Sequence, residues 1–395
     1  MEIAATTQTQ SKTSTITTGL AMFSMMFGAG NIVFALAIGQ YAQDKNLFAI
    51  LGLLLTAVGV PFLGLIAMTL FGGDYKAFFG RIGRVPGFIV AATIMGLIGP
   101  FGAIPRCIAL SYSTAQMYLP TISLPLFSLG ACLFIFLFTV KRTSILDLLG
   151  YVLTPLKLGS LLFIIIKGFF SSPEIPVSAH TDLTVFLKGL TDGYQTMDLL
   201  GAFFFCSVVL DCLKKNLDVT DPKNYKSILS VALRASCIGA GLLAFIYVGF
   251  SYVAAMQSGN LAHVAPAELI SQIAIQVLGP YAGVLVCFTV TVACLTTAIA
   301  LTTVFAEFVH KDLANNRISY PLALLITLGI TFGISTLHFT GIMALLAPIL
   351  QLFYPALIVL CVLNIAYKLK NYQSVKVPVF AAFALSIAGY FFLNL

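Results

Sequence analysis

Charge is scarce in this sequence. Only 9% of its 395 residues are Asp, Glu, Lys or Arg, whereas a soluble domain carries roughly 25%. In contrast, 59% are hydrophobic and the mean hydropathy is +1.01. A soluble fold is therefore excluded. Apolar stretches of the about 20 residues that a bilayer-spanning helix needs recur from Ile16 to Leu393, so we expect one transmembrane domain over 1–395, in contact with membrane lipid.

Motifs for catalysis and metal binding are also missing. The sequence has no GxSxG serine, no HExxH zinc motif, no paired membrane aspartates and no GxxxxGK[ST] nucleotide loop. Its eight cysteines form no CxxC pair, which argues against structural zinc and disulfides. The net charge is +7, but the cations are spread between apolar stretches, so no nucleic-acid partner is expected. An enzyme, a nucleotide-driven pump and a resident cofactor are all disfavoured.

The apolar stretches predict an all-α membrane protein with eleven transmembrane helices after a polar tail at 1–14. Lys and Arg gather in alternate connecting segments, and only Lys45, Lys167 and Lys188 fall on the other side. Because cytoplasmic loops retain Lys and Arg, the N-terminus is expected in the cytoplasm. The predicted helices are 15–40, 47–71, 86–118, 123–140, 145–169, 190–213, 228–256, 279–309, 319–337, 341–366 and 377–394.

The first helix carries a run of small and polar residues, Gly28 to Asn31, near its middle. An unwound helix is tolerated inside a membrane only where it lines a site, and the freed N–H groups then suit a carboxylate. The alternative is a face of small residues for close helix packing. The motif alone does not separate these two interpretations.

The sixth helix is interrupted by Gln195, Thr196 and Asp198, with Gly201 following. A carboxylate within a membrane is costly, which favours a functional site over a residue that merely lies near the outer interface. The interruptions of helices one and six occupy corresponding places in two five-helix halves, 15–169 and 190–366. That spacing indicates an inverted repeat with its site near the middle of the membrane.

Helix eight offers hydroxyl groups. Thr296 and Thr297 follow Ala293 by three and four residues, so their hydroxyls and that carbonyl share one helical face, as a hard cation prefers. The alternative is that the hydroxyls bond back to the preceding turn.

Two cations also lie within predicted helices. Lys157 near the middle of helix five is the better functional candidate, whereas Arg106 in helix three is interpreted as extending towards the interface.

Four separated segments resemble one family. At FGAGNIVF, GPFGAIPR, GYQTMDLLGA and ACLTTAIALTTVFAEF, the chain is similar to the bacterial BrnQ-type branched-chain amino acid:cation symporters of the amino acid–polyamine–cation superfamily. The resemblance implies a leucine-transporter-like bundle of five plus five inverted helices in a bacterial inner membrane, with 377–394 as an extra helix. It implies transport of Leu, Ile, Val and possibly Met with Na⁺.

The resemblance also implies a site. N–H groups of helix one would bind the substrate carboxylate and groups of helix six its ammonium. The implied substrate-binding residues are Gly28, Ala29, Gly30, Asn31, Ile104, Thr196, Met197, Asp198, Gly201, Phe203 and Phe204. The implied Na⁺ ligands are Met26, Ala29, Ala293, Thr296 and Thr297. Related carriers without Na⁺ can place a lysine at the ion position, so coupling to H⁺, or Na⁺-independent exchange, through Lys157 is the alternative.

Overall fold

The computed structural model describes residues 15–140, 145–171, 174–215 and 222–393, and this part of the chain contains helices and no strand. The predicted tail at 1–14 lies outside it. The helices are α1 Thr15–Met26, α2 Ala29–Ala42, α3 Asn46–Leu54, α4 Val60–Leu70, α5 Tyr75–Gly80, α6 Arg84–Ile98, α7 Ala103–Gln116, α8 Leu124–Val140, α9 Ile145–Phe170, α10 Asp182–Gln195, α11 Asp198–Lys215, α12 Pro222–Leu261, α13 Leu269–Phe308, α14 Tyr320–Ser335, α15 His338–Lys370 and α16 Lys376–Leu393.

Most of the helices are strongly apolar, as expected of helices that face lipid on one side and protein on the other, whereas α7 and α10 are amphipathic. Within the described residues, five helical stretches are long and apolar enough to cross a membrane, and the other apolar helices are shorter. The five are Ala29–Leu70, Arg84–Gln116, Ile228–Leu261, Gly283–Leu313 and His338–Lys370. The predicted all-α polytopic membrane fold is confirmed.

Three of the predicted helices are divided by a non-helical segment, whereas the second is uninterrupted because a π-helical segment at Leu55–Gly59 joins α3 to α4. The first breaks between α1 and α2, the sixth between α10 and α11, and the third between α6 and α7. A fourth irregularity lies inside α13 at Gly279, which has a φ of 80°. It separates the buried segment around Ile273 from the long span that follows, which is predicted helix eight. The sequence predicted interruptions in helices one and six, but not in helix three.

Glycines let the broken helices approach their neighbours. A Cβ on Gly52 of α3 would lie 2.2 Å from the carbonyl oxygen of Phe186, and one on Gly189 of α10 would lie 2.2 Å from that of Ala49. In the same way, a Cβ on Gly39 of α2 would lie 2.0 Å from the carbonyl oxygen of Ser251 on α12. These contacts exclude any larger side chain. They fix α10 against α3 and α2 against α12, so the breaks at their ends are held in place.

Candidate functional site

The break in helix one is short. α1 ends at Met26 and α2 begins at Ala29, with Gly28 extended between them (φ −110°, ψ −167°). The Gly28 N–H donates to Asn31 Oδ1 at 2.8 Å. The N–H groups of Ala29 and Gly30 lie in the first turn of α2, where a helix offers no intrahelical acceptor. The sequence-predicted unwinding at this motif is present.

The break in helix six faces it. α10 ends at Gln195, and Met197 adopts a left-handed conformation (φ 63°) before α11 begins at Asp198. A residue with a Cβ rarely adopts that conformation, which costs about 1–2 kcal/mol and persists only where the surroundings impose it. A Cβ placed on Gly30 would lie 3.3 Å from the carbonyl oxygen of Thr196. The two breaks are therefore in direct contact at Gly30.

Asp198 is the centre of a buried hydrogen-bond network. Asn31 Nδ2 donates to both of its carboxylate oxygens at 2.8 Å, and the Tyr247 hydroxyl donates to Oδ2 at 2.7 Å. The side chain is 3% exposed, and no Lys or Arg in the described ranges forms an ion pair with it. Asp198 begins α11, whose N-terminal partial positive charge stabilises a carboxylate. The network joins α2, α11 and α12.

Arg106 lies on the other side of the same break. Its Nη1 donates to the Gln195 carbonyl oxygen at 2.6 Å and its Nη2 to Gln195 Oε1 at 2.8 Å. The guanidinium also lies 5.5 Å from the Phe34 ring centroid and 5.9 Å from that of Phe339. Arg106 is 2% exposed, so the interpretation that it extends towards the interface is wrong. The partial negative charge at the C-terminal end of α10 stabilises this cation.

The two breaks and α7 enclose a cavity of about 50 Å³. Drug-sized ligand pockets measure roughly 300–1,000 Å³, so an amino acid needs side-chain movement to enter. The sequence-predicted residues that line the cavity are Met26, Gly28, Ala29, Gly30, Asn31, Thr196, Met197, Asp198, Gly201 and Thr297. The lining residues not assigned to the site from sequence are Met25, Ile98, Ala103, Arg106, Cys107, Phe205 and Leu301.

Three predicted apolar contacts lie elsewhere. Phe203 packs against Phe78, with ring centroids 5.3 Å apart, and Phe204 packs against Tyr75 at 5.2 Å. Ile104 is fully buried but does not line the cavity. Successive residues of an α-helix point about 100° apart because each turn contains 3.6 residues. Phe205 therefore reaches the cavity, whereas Phe203 and Phe204 do not.

Only some of the predicted Na⁺ ligands line the cavity. Met26, Ala29 and Thr297 line the cavity, and Thr296 does not. The hydroxyls of Thr296 and Thr297 both donate to the Ala293 carbonyl oxygen, at 2.9 and 3.0 Å. This is the intrahelical bonding that threonine commonly makes in membrane helices. Thr297 is the member of the pair adjacent to the helix-one break.

Tyr247 and Lys157 also bear on the site predicted from sequence. Tyr247 was not singled out from sequence, because a tyrosine in an apolar helix carries no signal of a polar partner. Lys157 lies in α9, but its side chain falls outside the part of the chain whose side chains are described.

Comparison with known proteins identifies relatives that are named as branched-chain amino acid permeases. The family model described as branched-chain amino acid transport protein matches residues 11–392. The branched-chain amino acid permease BraB of Bacillus subtilis is 32% identical over 369 residues, which cover 90% of this chain and 80% of BraB. The permease BrnQ of Corynebacterium glutamicum is 29% identical over 363 residues, which cover 90% of this chain and 81% of that protein.

Solved structures with very different sequences share the fold. Mhp1 in its inward facing conformation matches with a TM-score of 0.69 at 11% identity, over 95% of this chain and 85% of Mhp1. A manganese transporter of Eremococcus coleocola matches with a TM-score of 0.61 at 15% identity, over 97% of this chain and 89% of that protein. At these identities the likeness shows the fold alone, and that fold is leucine-transporter-like, as predicted.

Proposed function

The chain belongs to the branched-chain amino acid transport protein family, and from that premise we propose that it imports leucine, isoleucine and valine, with methionine as a further substrate, by symport with Na⁺. It is a multi-pass membrane transport protein and not an enzyme. In this proposal 15–169 and 190–366 form two five-helix repeats, which rock against each other around the cavity. The extra helix at 377–394 lies outside both.

The observation that carries the proposal is the meeting of the two helix breaks at one cavity. In this proposal the N–H groups of Ala29 and Gly30, at the N-terminus of α2, bind the substrate carboxylate. Asp198 is the carboxylate on the cavity wall, and it pairs with the substrate ammonium. A zwitterion thus finds a partner for each of its charges.

The rest of the cavity wall selects the side chain. Met25, Ile98, Phe205 and Leu301 present apolar surface. One methylene in such a pocket changes the binding free energy by about 1–3 kcal/mol, so leucine, isoleucine, valine and methionine compete with one another. Lysine and glutamate would bury an unpaired charge there and are rejected.

Sodium is proposed to bind at the Thr297 end of the cavity. Each hydroxyl that donates to the Ala293 carbonyl keeps its lone pairs for a cation. Oxygen atoms of Met26, Ala29 and Thr297 then supply the hard ligands that Na⁺ prefers, by the same logic as for other hard cations.

A second coupling mode is favoured by one observation. Asp198 is a buried carboxylate whose partners, Asn31 and Tyr247, are both neutral. Such a group can carry a proton through the membrane. Proton coupling, or Na⁺-independent exchange, would then operate through Asp198, or through Lys157 as the sequence suggests, and not through the threonines.

Counterflow in proteoliposomes tests the substrate assignment. Vesicles are loaded with unlabelled amino acid, and entry of radiolabelled leucine is followed with and without Na⁺. Isoleucine, valine and methionine should drive leucine entry in the presence of Na⁺, whereas lysine and glutamate should not. Equal counterflow with lysine or glutamate would overturn the assignment.

A further inference from the structure

A second cavity, of about 580 Å³, lies between α5, α6 and the end of α13. It shares no lining residue with the substrate cavity. The segments that meet here, around Lys76, Arg84 and Lys311, are among those whose basic residues predict a cytoplasmic position. The cavity is therefore placed at the inner surface of the membrane.

One wall of this cavity is an apolar stripe on α6. Val85, Phe88 and Ala91 recur every third residue, so they share one helical face. The stripe extends about 9 Å at 1.5 Å per residue. Val85 is 68% exposed and Phe88 46%, so the cavity opens sideways, towards the lipid that surrounds a membrane helix. Phe79 and Phe308 complete the apolar lining.

The rim of the cavity is cationic. Lys76, Arg84 and Lys311 line it together with a single carboxylate, Asp312. Asp312 is already occupied, because Lys76 Nζ lies 2.5 Å from its Oδ1 and the Tyr75 hydroxyl donates to its Oδ2 at 3.1 Å. Burial, with a smaller contribution from Asp312, raises the pKa of Tyr75, so this phenol stays protonated as a donor.

The remaining positive charge is available to a ligand. Lys311 makes only a loose pair with Glu307, with the nitrogen and oxygen 3.8 Å apart. Arg84 is exposed, and within the described ranges it forms no ion pair. Arginine is well suited to phosphate because its planar guanidinium can donate two parallel hydrogen bonds.

We propose that this cavity binds an anionic phospholipid of the inner leaflet, with its phosphate between Arg84 and Lys311 and an acyl chain along Val85, Phe88 and Ala91. Basic pockets between membrane helices on the cytoplasmic side suit anionic head groups. A soluble phosphate would use the rim and leave the apolar stripe uncovered. A zwitterionic phospholipid would cover the stripe but bring no net negative charge to the two cations.

Native mass spectrometry of the full-length protein in mild detergent tests this inference. The probes are phosphatidylglycerol, phosphatidylcholine and inorganic phosphate. We expect one phosphatidylglycerol to bind at least tenfold more tightly than phosphatidylcholine. Arg84→Gln combined with Lys311→Gln should lower that affinity about tenfold. The matched control is Lys370→Gln combined with Lys376→Gln, which removes two exposed lysines elsewhere and should change the affinity less than twofold.

A second pair of variants tests the apolar wall. Phe88→Ser should weaken phosphatidylglycerol binding severalfold, whereas Phe380→Ser, at a phenylalanine equally exposed at 46%, should not. Equal binding of the two lipids, equal effects of the variants and their controls, or displacement of phosphatidylglycerol by equimolar inorganic phosphate would each overturn the proposal. The thermal unfolding midpoint of every variant in lipid-free detergent checks that it is folded. No outcome depends on the transported substrate.

Discussion

The substrate cavity and the cytoplasmic cavity hold their charges in opposite ways. At the helix breaks, Asp198 and Arg106 are each almost fully buried and are bonded to neutral groups and helix ends. At the cytoplasmic rim, partly exposed charges such as Lys76 and Asp312 pair with each other. Buried charges deprived of their partners cost about 3–5 kcal/mol, whereas exposed ion pairs contribute about 0–1 kcal/mol. The first arrangement leaves Asp198 without a cationic partner among the described residues, so it can pair with a ligand, and the second holds surfaces together.

Asp198→Asn should have the largest effect. The variant keeps the shape of the side chain but removes the charge that pairs with the substrate ammonium. We expect initial leucine uptake in proteoliposomes to fall about 100-fold, or ~2.7 kcal/mol at 1.36 kcal/mol per factor of ten. Asp192→Asn is the matched control, because Asp192 is also buried but pairs with Lys188 four residues earlier. Leucine uptake by the Asp198→Asn protein within threefold of wild type would show that Asp198 does not pair with the substrate ammonium.

Arg106→Leu should come next, and its main effect should be on stability. It leaves the buried Gln195 carbonyl and side-chain oxygens without their donors, and each such unsatisfied polar group costs about 1–3 kcal/mol. We expect the unfolding midpoint in detergent to fall steeply. Arg106→Lys should recover only part of the loss, since lysine cannot reproduce the two-pronged contact with Gln195. Full stability in both variants would show that the guanidinium does not support the break.

Thr297→Ala should have a smaller and more selective effect. The Na⁺ concentration for half-maximal leucine uptake should rise about tenfold, ~1.4 kcal/mol, while competition by isoleucine and valine is unchanged. Thr296→Ala is the control, because both threonines bond to Ala293 but only Thr297 lines the cavity. Equal shifts in both variants, or no shift in either, would reject the proposed ion site.

Lys76→Gln should have the smallest effect. The lysine is largely exposed, so losing its pair with Asp312 should lower the free energy of unfolding by about 0–1 kcal/mol. High salt should reduce the difference further, since exposed ion pairs are screened. The comparison is made by thermal unfolding at low and high ionic strength. A loss as large as that of Arg106→Leu would erase the distinction between the two regions.

Sequence reasoning located the helices because an apolar stretch long enough to span a bilayer is a strong signal. It also located the breaks in helices one and six, where glycine or polar residues interrupt such a stretch. The break before α7 was missed, since Gly99 and Gly102 are equally typical of an intact, closely packed membrane helix. Its consequence, the burial of Arg106, was missed with it.

Side-chain direction was harder to predict than position. Phe203, Phe204 and Phe205 are indistinguishable by residue type, and only the exact helical phase decides that Phe205 reaches the cavity. The partnership of Asn31, Asp198 and Tyr247 joins residues up to 216 positions apart. No local pattern encodes a contact of that kind, so it requires the packed structure.

The most direct test of Na⁺-coupled import is leucine uptake into proteoliposomes under an imposed Na⁺ gradient and, separately, under an imposed pH gradient. Wild type, Lys157→Ala and Lys157→Met are measured side by side. The account predicts uptake that requires Na⁺, does not respond to the pH gradient alone, and persists with Na⁺ coupling in Lys157→Met. Full uptake without Na⁺, driven by the pH gradient and abolished in Lys157→Ala, would contradict it.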